Sequence, residues 1–362
     1  MRPWVYGELG KEKKMAINEN AIDFLLDKSN VAIKYRVLRD LCDNSNSKDL
    51  IRLQDELINS ERSIHLLECL KNRKEYHGAT LYAVENSLNM LVDMGFQYGK
   101  GFEDFDNSIK ILADAAKNKI IDNSHVLGYL SHIVIVPFLL RAGIRDEWLI
   151  EFTKDRINTI YEFVVQNSYD IYDDVSEYKR IPKNFQGRPI IRPCLYSSGK
   201  IKFPLEYDIY GFACLMPELT FDLQSKINKI ISYILDDRFC IIDDGYGVLS
   251  DKKNYWAMGW DPKPTDLTKE YRCNPLLLKV DLMSSFSSAS NSKWFTQALG
   301  VMEQYADENG IYHYPKNYLT EKDSCWILGN HMSIGENRRQ KHSMTIEGTF
   351  RTLLIMKKLS YD

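Results

Sequence analysis

The chain has 362 residues, 44% of them hydrophobic and 27% charged, which is enough apolar material for a sizeable core and excludes the disordered class. A net charge of −3 excludes a global basic field, so neither nucleic acid nor an anionic membrane surface is an expected partner, and the longest apolar run, 133–140, is too short to span a bilayer. Seven cysteines, at 42, 69, 194, 214, 240, 273 and 325, include no CxxC pair, which argues against a disulfide framework and for a reducing, cytoplasmic setting.

Residues 1–14 are Gly- and Lys-rich and are expected to form a disordered extension, leaving 15–362 as a single domain. From there the period is helical. Ala21, Ile22, Phe24, Leu25 and Leu26 predict a short helix capped by Asn18 or Asn20. Val31, Ile33, Tyr35, Val37, Leu38 and Leu41 predict a second, ended by the polar run 43–47, and 50–70 carries apolar residues at three-and-four spacing for a third. An apolar helix over 80–94 stops at Gly95 and is followed by an amphipathic one over 102–116. The same layout returns with 126–141, a stop at Gly143, and 148–165, after roughly 40 to 50 residues. Further copies pair 207–216 with 224–235 and 276–286 with 294–305, and a last helix over 344–359 has no partner after it.

Repeated helix pairs of this length build either an open solenoid or a closed α/α barrel. Closure is expected here. The helix over 126–141 is apolar on most faces, as a helix surrounded by others must be, and the unpaired last helix finds a partner only at the N-terminus. The fold class is therefore read as all-α, a closed α/α toroid whose long loops, 169–206 and 239–274, gather at one end with the closing segment 323–342.

Several residues in these loops carry chemistry. Asp243 and Asp244 sit in an Asp-Asp-Gly-Tyr-Gly turn, where adjacent carboxylates can push each other's pKa apart, although Asp-Asp-Gly is also an ordinary turn sequence. Tyr246, Trp256 and Trp260 follow as flat surfaces for a sugar ring, a polyene or a cation. Tyr207 and Asp208 open an inner helix, where the helix dipole alone favours a carboxylate. In the closing segment Trp326 is a further aromatic surface, His331 and Glu336 are acid–base candidates, and Arg338 with Arg339 could grip an anion or clamp helix ends. His77 reads as a barrel-mouth base or a cap. His125 and His132, two turns apart on an apolar helix, read as core histidines.

In layout and in short phrases the chain resembles the α/α-toroid superfamily of terpenoid cyclases and protein prenyltransferase β-subunits, especially its short bacterial members of unassigned function. The phrases are Ala32-Ile-Lys-Tyr-Arg-Val-Leu-Arg-Asp-Leu41, the Met94-Gly95 and Ala142-Gly143 stops, Tyr207-Asp-Ile-Tyr-Gly211 and Thr345-Ile-Glu-Gly-Thr-Phe350. The resemblance implies a central pocket for a hydrophobic or biosynthetic intermediate. Class II cyclases protonate an alkene with a DxDD motif. The nearest runs here are Asp170-Ile-Tyr-Asp173-Asp174 and Asp243-Asp244, so protonation by that motif is not expected. Prenyltransferase β-subunits hold zinc with Asp, Cys and His, the first two as D-x-C. Asp323-Ser324-Cys325 has that form, but His331 and His342 follow it closely where the family's histidine lies far downstream. No cofactor is the primary expectation, and zinc on Asp323, Cys325 and His331 is the alternative.

The expected partner is a small-molecule ligand, and the expected function is a cyclase- or transferase-like enzyme working by carboxylates and aromatics. A carbohydrate-active α/α-barrel enzyme and a non-catalytic helical scaffold are the rivals. They differ in what they demand: the first a carboxyl pair across a cleft, the second a centre without a ligand-sized cavity.

Overall fold

The structure is a computed structural model that describes residues 17–42, 47–119, 126–178, 180–251, 254–322 and 325–360. The expectations for residues 1–14, for His125 and for Asp323 lie outside these residues. The described chain is mostly helical.

α1 (Glu19–Lys28) begins where the Asn18 side chain accepts the Asn20 N–H, and α2 (Val31–Arg36) where Asn30 accepts that of Ile33. α2 runs on into a π-helical turn over Val37–Leu41. The single helix expected over 50–70 is two, α3 (Lys48–Ile58) and α4 (Glu61–Lys71). The break has a local cause. Ser60 leaves the helical region and its hydroxyl accepts the Ser63 N–H, so a new N-cap competes with continuation of the first helix.

α5 (Val84–Met94) starts later than the expected position 80, because the Ala83 N–H turns back to Thr80 and the Lys74 N–H reaches the Tyr82 carbonyl. It ends as read, at Gly95 with φ 111°, a left-handed conformation natural to glycine. α6 (Glu103–Lys119), α7 (Val126–Arg141) and α8 (Glu147–Val164) follow. After the first long loop come α9 (Glu206–Leu215), α10 (Phe221–Ile234) and the short α11 (Asp237–Cys240). The second long loop contains a hairpin that the helical reading missed, β1 (Val248–Asp251) antiparallel to β2 (Asn254–Ala257), with Leu249 opposite Trp256. α12 (Leu276–Met283), α13 (Ser287–Ser290), α14 (Lys293–Glu303) and α15 (Ser343–Ser360) complete the chain.

Helices of the apolar set touch in succession: α2 with α5, α5 with α7, α7 with α9, α9 with α12, α12 with α15, and α15 with the π turn that continues α2. The amphipathic helices lie against them, α4 on α5, α8 on α9, α14 on α12 and α1 on α15. One buried apolar cluster extends from Ala21 to Met356. Among the described residues no helix is long and apolar enough to cross a membrane.

Candidate functional site

The N-terminal ends of α9 and α12, the loop 239–274 and the turn at 326–328 enclose a cavity of about 650 Å³, within the range of small-molecule sites. Its aromatic walls are Trp260, Tyr271 and Trp294. Trp294 is locked by its indole N–H, which donates to the Thr265 carbonyl at 2.9 Å. Two of its lining residues form a buried ion pair: Lys279 of α12 donates to the Oε2 of Glu206 at the start of α9, with side chains 11% and 3% exposed. The other oxygen, Glu206 Oε1, is buried and has no hydrogen-bond partner among the described residues. Burial pushes the Glu206 carboxyl above its ordinary value while the Lys279 charge holds it back.

Trp260 is placed by the turn before it. The Gly245 N–H donates to the Asp261 carboxylate at 2.6 Å and the Gly259 N–H to the Gly245 carbonyl at 2.8 Å, so the Asp243 turn and residues 258–261 lie back to back. Gly247, at φ 107°, has no room for a side chain, since a Cβ would stand 2.4 Å from the Pro189 carbonyl oxygen. Trp260 itself has φ 61°, a left-handed conformation that is uncommon outside glycine. Its carbonyl accepts the Glu206 N–H at 2.8 Å. Its ring meets His77 edge-on at 4.9 Å and Tyr207 at 5.2 Å. Behind it His77 Nδ1 lies 2.7 Å from Glu85 Oε2, and the Tyr207 hydroxyl donates to the same oxygen at 2.6 Å. Glu85 is fully buried, and burial together with the Glu85 charge raises the Tyr207 phenol well above its ordinary value. The Tyr207 hydroxyl also lies 2.9 Å from His77 Nδ1, so the imidazole, phenol and carboxyl form one three-way contact. Trp260 thus touches both groups, Glu206 through its backbone carbonyl and the His77–Tyr207 pair through its ring.

No known protein family, curated protein or solved structure matches the chain.

Of the residues singled out from the sequence, Asp244 and Trp260 line the cavity, and Tyr207 meets Trp260. Asp244 is 82% exposed and pairs with Lys263 at 2.9 Å, which lowers its pKa. Asp243 is exposed, and its N–H donates to the Tyr172 hydroxyl. Trp256 is half-buried on β2. Asp208 is buried against Arg156, and the Tyr246 hydroxyl donates to the Pro204 carbonyl at 2.5 Å. His331 accepts from Arg62 through Nε2 at 3.1 Å and donates from Nδ1 to the Lys322 carbonyl at 2.7 Å. Arg338 pairs with the buried Glu347 and donates to the Leu319 carbonyl. Cys325, at φ 39°, has its sulfur 4.0 Å from the Gly78 carbonyl oxygen, and among the described residues no three His, Cys, Asp or Glu side chains gather as a metal site. His132 is buried, its Nε2 3.3 Å from the Ala116 carbonyl oxygen. Glu206, Lys279 and Glu85 were not singled out; their signal is a charged residue within or opening an otherwise apolar helix.

Trp326 is buried in the interior, donating its indole N–H to Asp93 at 3.0 Å and its backbone N–H to Asn86 at 2.8 Å. Its neighbours Ile327 and Leu328 line the cavity.

Glu336 works at a distance in sequence: its carboxylate accepts the Asn30 N–H at 2.6 Å, capping α2. Burial, aided by the Glu347 charge against the pull of that N–H, pushes its pKa from the ordinary 4.5 up to about 7. The folded state thus holds this proton more tightly than the unfolded chain. The stability it confers is complete below pH 4.5 and is lost as pH rises through about 7. The wild type is expected to lose up to about 3 kcal/mol through this group across that window. Glu336→Gln, which keeps an oxygen for Asn30, removes that part of the slope. Urea denaturation of both proteins across the window measures it, and parallel pH profiles would refute the assignment.

Proposed function

We propose that the chain is an enzyme built as a closed α/α toroid, with α2, α5, α7, α9, α12 and α15 as the inner ring, acting on a small hydrophobic or biosynthetic intermediate bound in the 650 Å³ cavity. The succession of contacts from α2 round to α15 and back supports the closure. The observation that carries the activity is the Glu206 Oε1 atom, buried without a partner in a residue that lines a ligand-sized cavity. A buried polar atom left unpaired is destabilising, and its retention is explained if a ligand donor completes it. In this reading Glu206 exchanges a proton with the ligand, Lys279 stabilises the carboxylate, and Trp260, Tyr271 and Trp294 hold the apolar body of the substrate. His77, oriented by Glu85, supplies a second base beside Trp260.

A carbohydrate reading is favoured by one observation, the presence of Asp244, Asp261 and Asp266 with Glu206 around the same aromatic walls. One experiment divides the readings. Farnesol and maltotriose serve as apolar and sugar probes in thermal unfolding of the full chain. Farnesol is expected to raise the melting temperature by about 2 to 4 °C at a concentration well above its Kd. Trp260→Leu is expected to abolish the rise. A shift with maltotriose alone would transfer the assignment to the carbohydrate class. No shift with either would leave the scaffold reading in possession.

A further inference from the structure

A second cavity, of about 430 Å³, lies between α2 with its π turn, α5, α7, α12 and α15, and shares no lining residue with the first. Four arginines and two lysines line it against three aspartates. Each aspartate is already engaged. Asp40 lies between Arg36 at 2.8 Å and Arg39 at 2.5 Å, Asp93 between Arg141 at 2.6 Å and Arg351 at 3.4 Å, and Asp281 takes Lys358 at 2.6 Å. Burial opposes ionisation of all three, yet the facing cations outweigh it and hold each below its ordinary value, Asp93 at about 2. All three are therefore anionic at neutral pH, and even with Lys357 set aside the lining carries five cations against three aspartates.

The guanidinium planes are also held in place. Arg36 lies over the Phe350 ring at 5.0 Å, Arg39 over Tyr35 at 5.2 Å and Arg141 over Trp326 at 4.5 Å. Arg351 is anchored to the Met332 carbonyl at 2.8 Å, while its Nε is buried without a partner among the described residues. Cations at helix C-termini are ordinary, since the last carbonyls attract them, and the Asp93 and Gly95 carbonyls do accept from Arg36 and Arg39. That accounts for single arginines. It does not account for an open volume of ligand size bounded by more cations than the three aspartates neutralise.

We propose that this cavity is a binding site for a small multivalent oxyanion, carried on a phosphorylated or a polycarboxylate molecule. Arg39 spends all three of its nitrogens on Asp40 and the Gly95 carbonyl, so Arg36, Arg141 and Arg351 are the guanidinium groups that would meet the paired oxygens of either. Lys358, at the rim, adds charge without geometric demand.

Calorimetric titration of the full chain with inorganic phosphate and with citrate, at ionic strength matched with sodium chloride, tests this. At least one anion is expected to bind saturably at one site, about tenfold more weakly to Arg36→Gln, with partial recovery in Arg36→Lys. Should Arg36→Gln not fold, Lys358→Gln, which alters a half-exposed pair, is expected to weaken the same anion about threefold. Absence of saturable binding of both anions up to about 10 mM, or variants that bind as the wild type does, would overturn the proposal. Trp260→Leu is expected to leave anion binding unchanged, so failure here and failure of the first cavity are separately visible.

Discussion

Asp93→Ala is expected to lower the stability of the chain by about 3 to 5 kcal/mol, the range for removing one partner of a buried ionic network. Asp93 ends α5 with a side chain 6% exposed, and its two oxygens serve three groups on three other parts of the chain. Oδ1 accepts from Arg141 of α7, and Oδ2 accepts from the Trp326 indole at 3.0 Å and from Arg351 of α15 at 3.4 Å. Truncation leaves Arg141 and Arg351 facing each other without a counter-charge, and it orphans a buried indole N–H. Asp93→Asn separates the contributions, because its amide oxygen can still accept from one of them. It is expected to be destabilising by about half as much.

The pH dependence gives the sign independently. Asp93 has a folded pKa of about 2 against an ordinary 3.8, so its contribution is present above pH 3.8 and is lost as pH falls towards 2. The difference amounts to about 2.5 kcal/mol and is expected to vanish in Asp93→Asn, flattening acid unfolding. Urea denaturation from pH 2 to 7 measures both quantities. An Asp93→Ala loss under about 1 kcal/mol would mean that the network is not cooperative.

What the sequence made legible here is what short-range physics determines. Apolar spacing located the helices, and Gly95 and Gly143 ended theirs, because a C-cap is settled by one residue's freedom at positive φ. The split at Ser60 went unseen because the apolar stripe of 50–70 runs across it unbroken, and the serine hydroxyl decides only through its contact with Ser63. The hairpin went unseen because Tyr255 and Trp256 read equally well as loop aromatics. At the site, Trp260 and Asp244 stood out as chemistry in a loop. Glu206 and Lys279 did not, since their pairing joins helices 73 positions apart. Asp208 and Glu206 stand two residues apart on the first turn of α9 and look alike as carboxylates opening an apolar helix. Only the partner distinguishes them: an arginine satisfies both oxygens of the one, while the lysine leaves an oxygen of the other open.

That contrast makes Arg156→Met the most informative change near the first cavity. Arg156 and Asp208 have side chains 1% and 3% exposed, with Nε donating to Oδ1 at 2.8 Å and Nη2 to Oδ2 at 2.7 Å. The same guanidinium reaches the carbonyls of Ile201 and Phe203, and Asp208 also accepts the Leu205 N–H at 2.8 Å. Arg156 therefore ties α8 both to the first turn of α9 and to the segment that leads into it, where Glu206 stands. Losing it leaves an uncompensated buried carboxylate and two buried carbonyls, a destabilisation expected at about 3 to 5 kcal/mol. Arg156→Met with Asp208→Leu removes both charges and is expected to recover the part of that loss due to the uncompensated carboxylate, since apolar groups of similar size replace a buried ion pair with little penalty. It does not restore the ties to Ile201 and Phe203. The double variant is thus expected to lie between Arg156→Met and the wild type in urea, and to lose the melting-temperature rise with farnesol, because Glu206 and the Trp260 carbonyl that accepts its N–H are no longer held in register. Full ligand response in a stable double variant would show that the cavity is positioned without Arg156, and would move the placing of Glu206 to Lys279 alone.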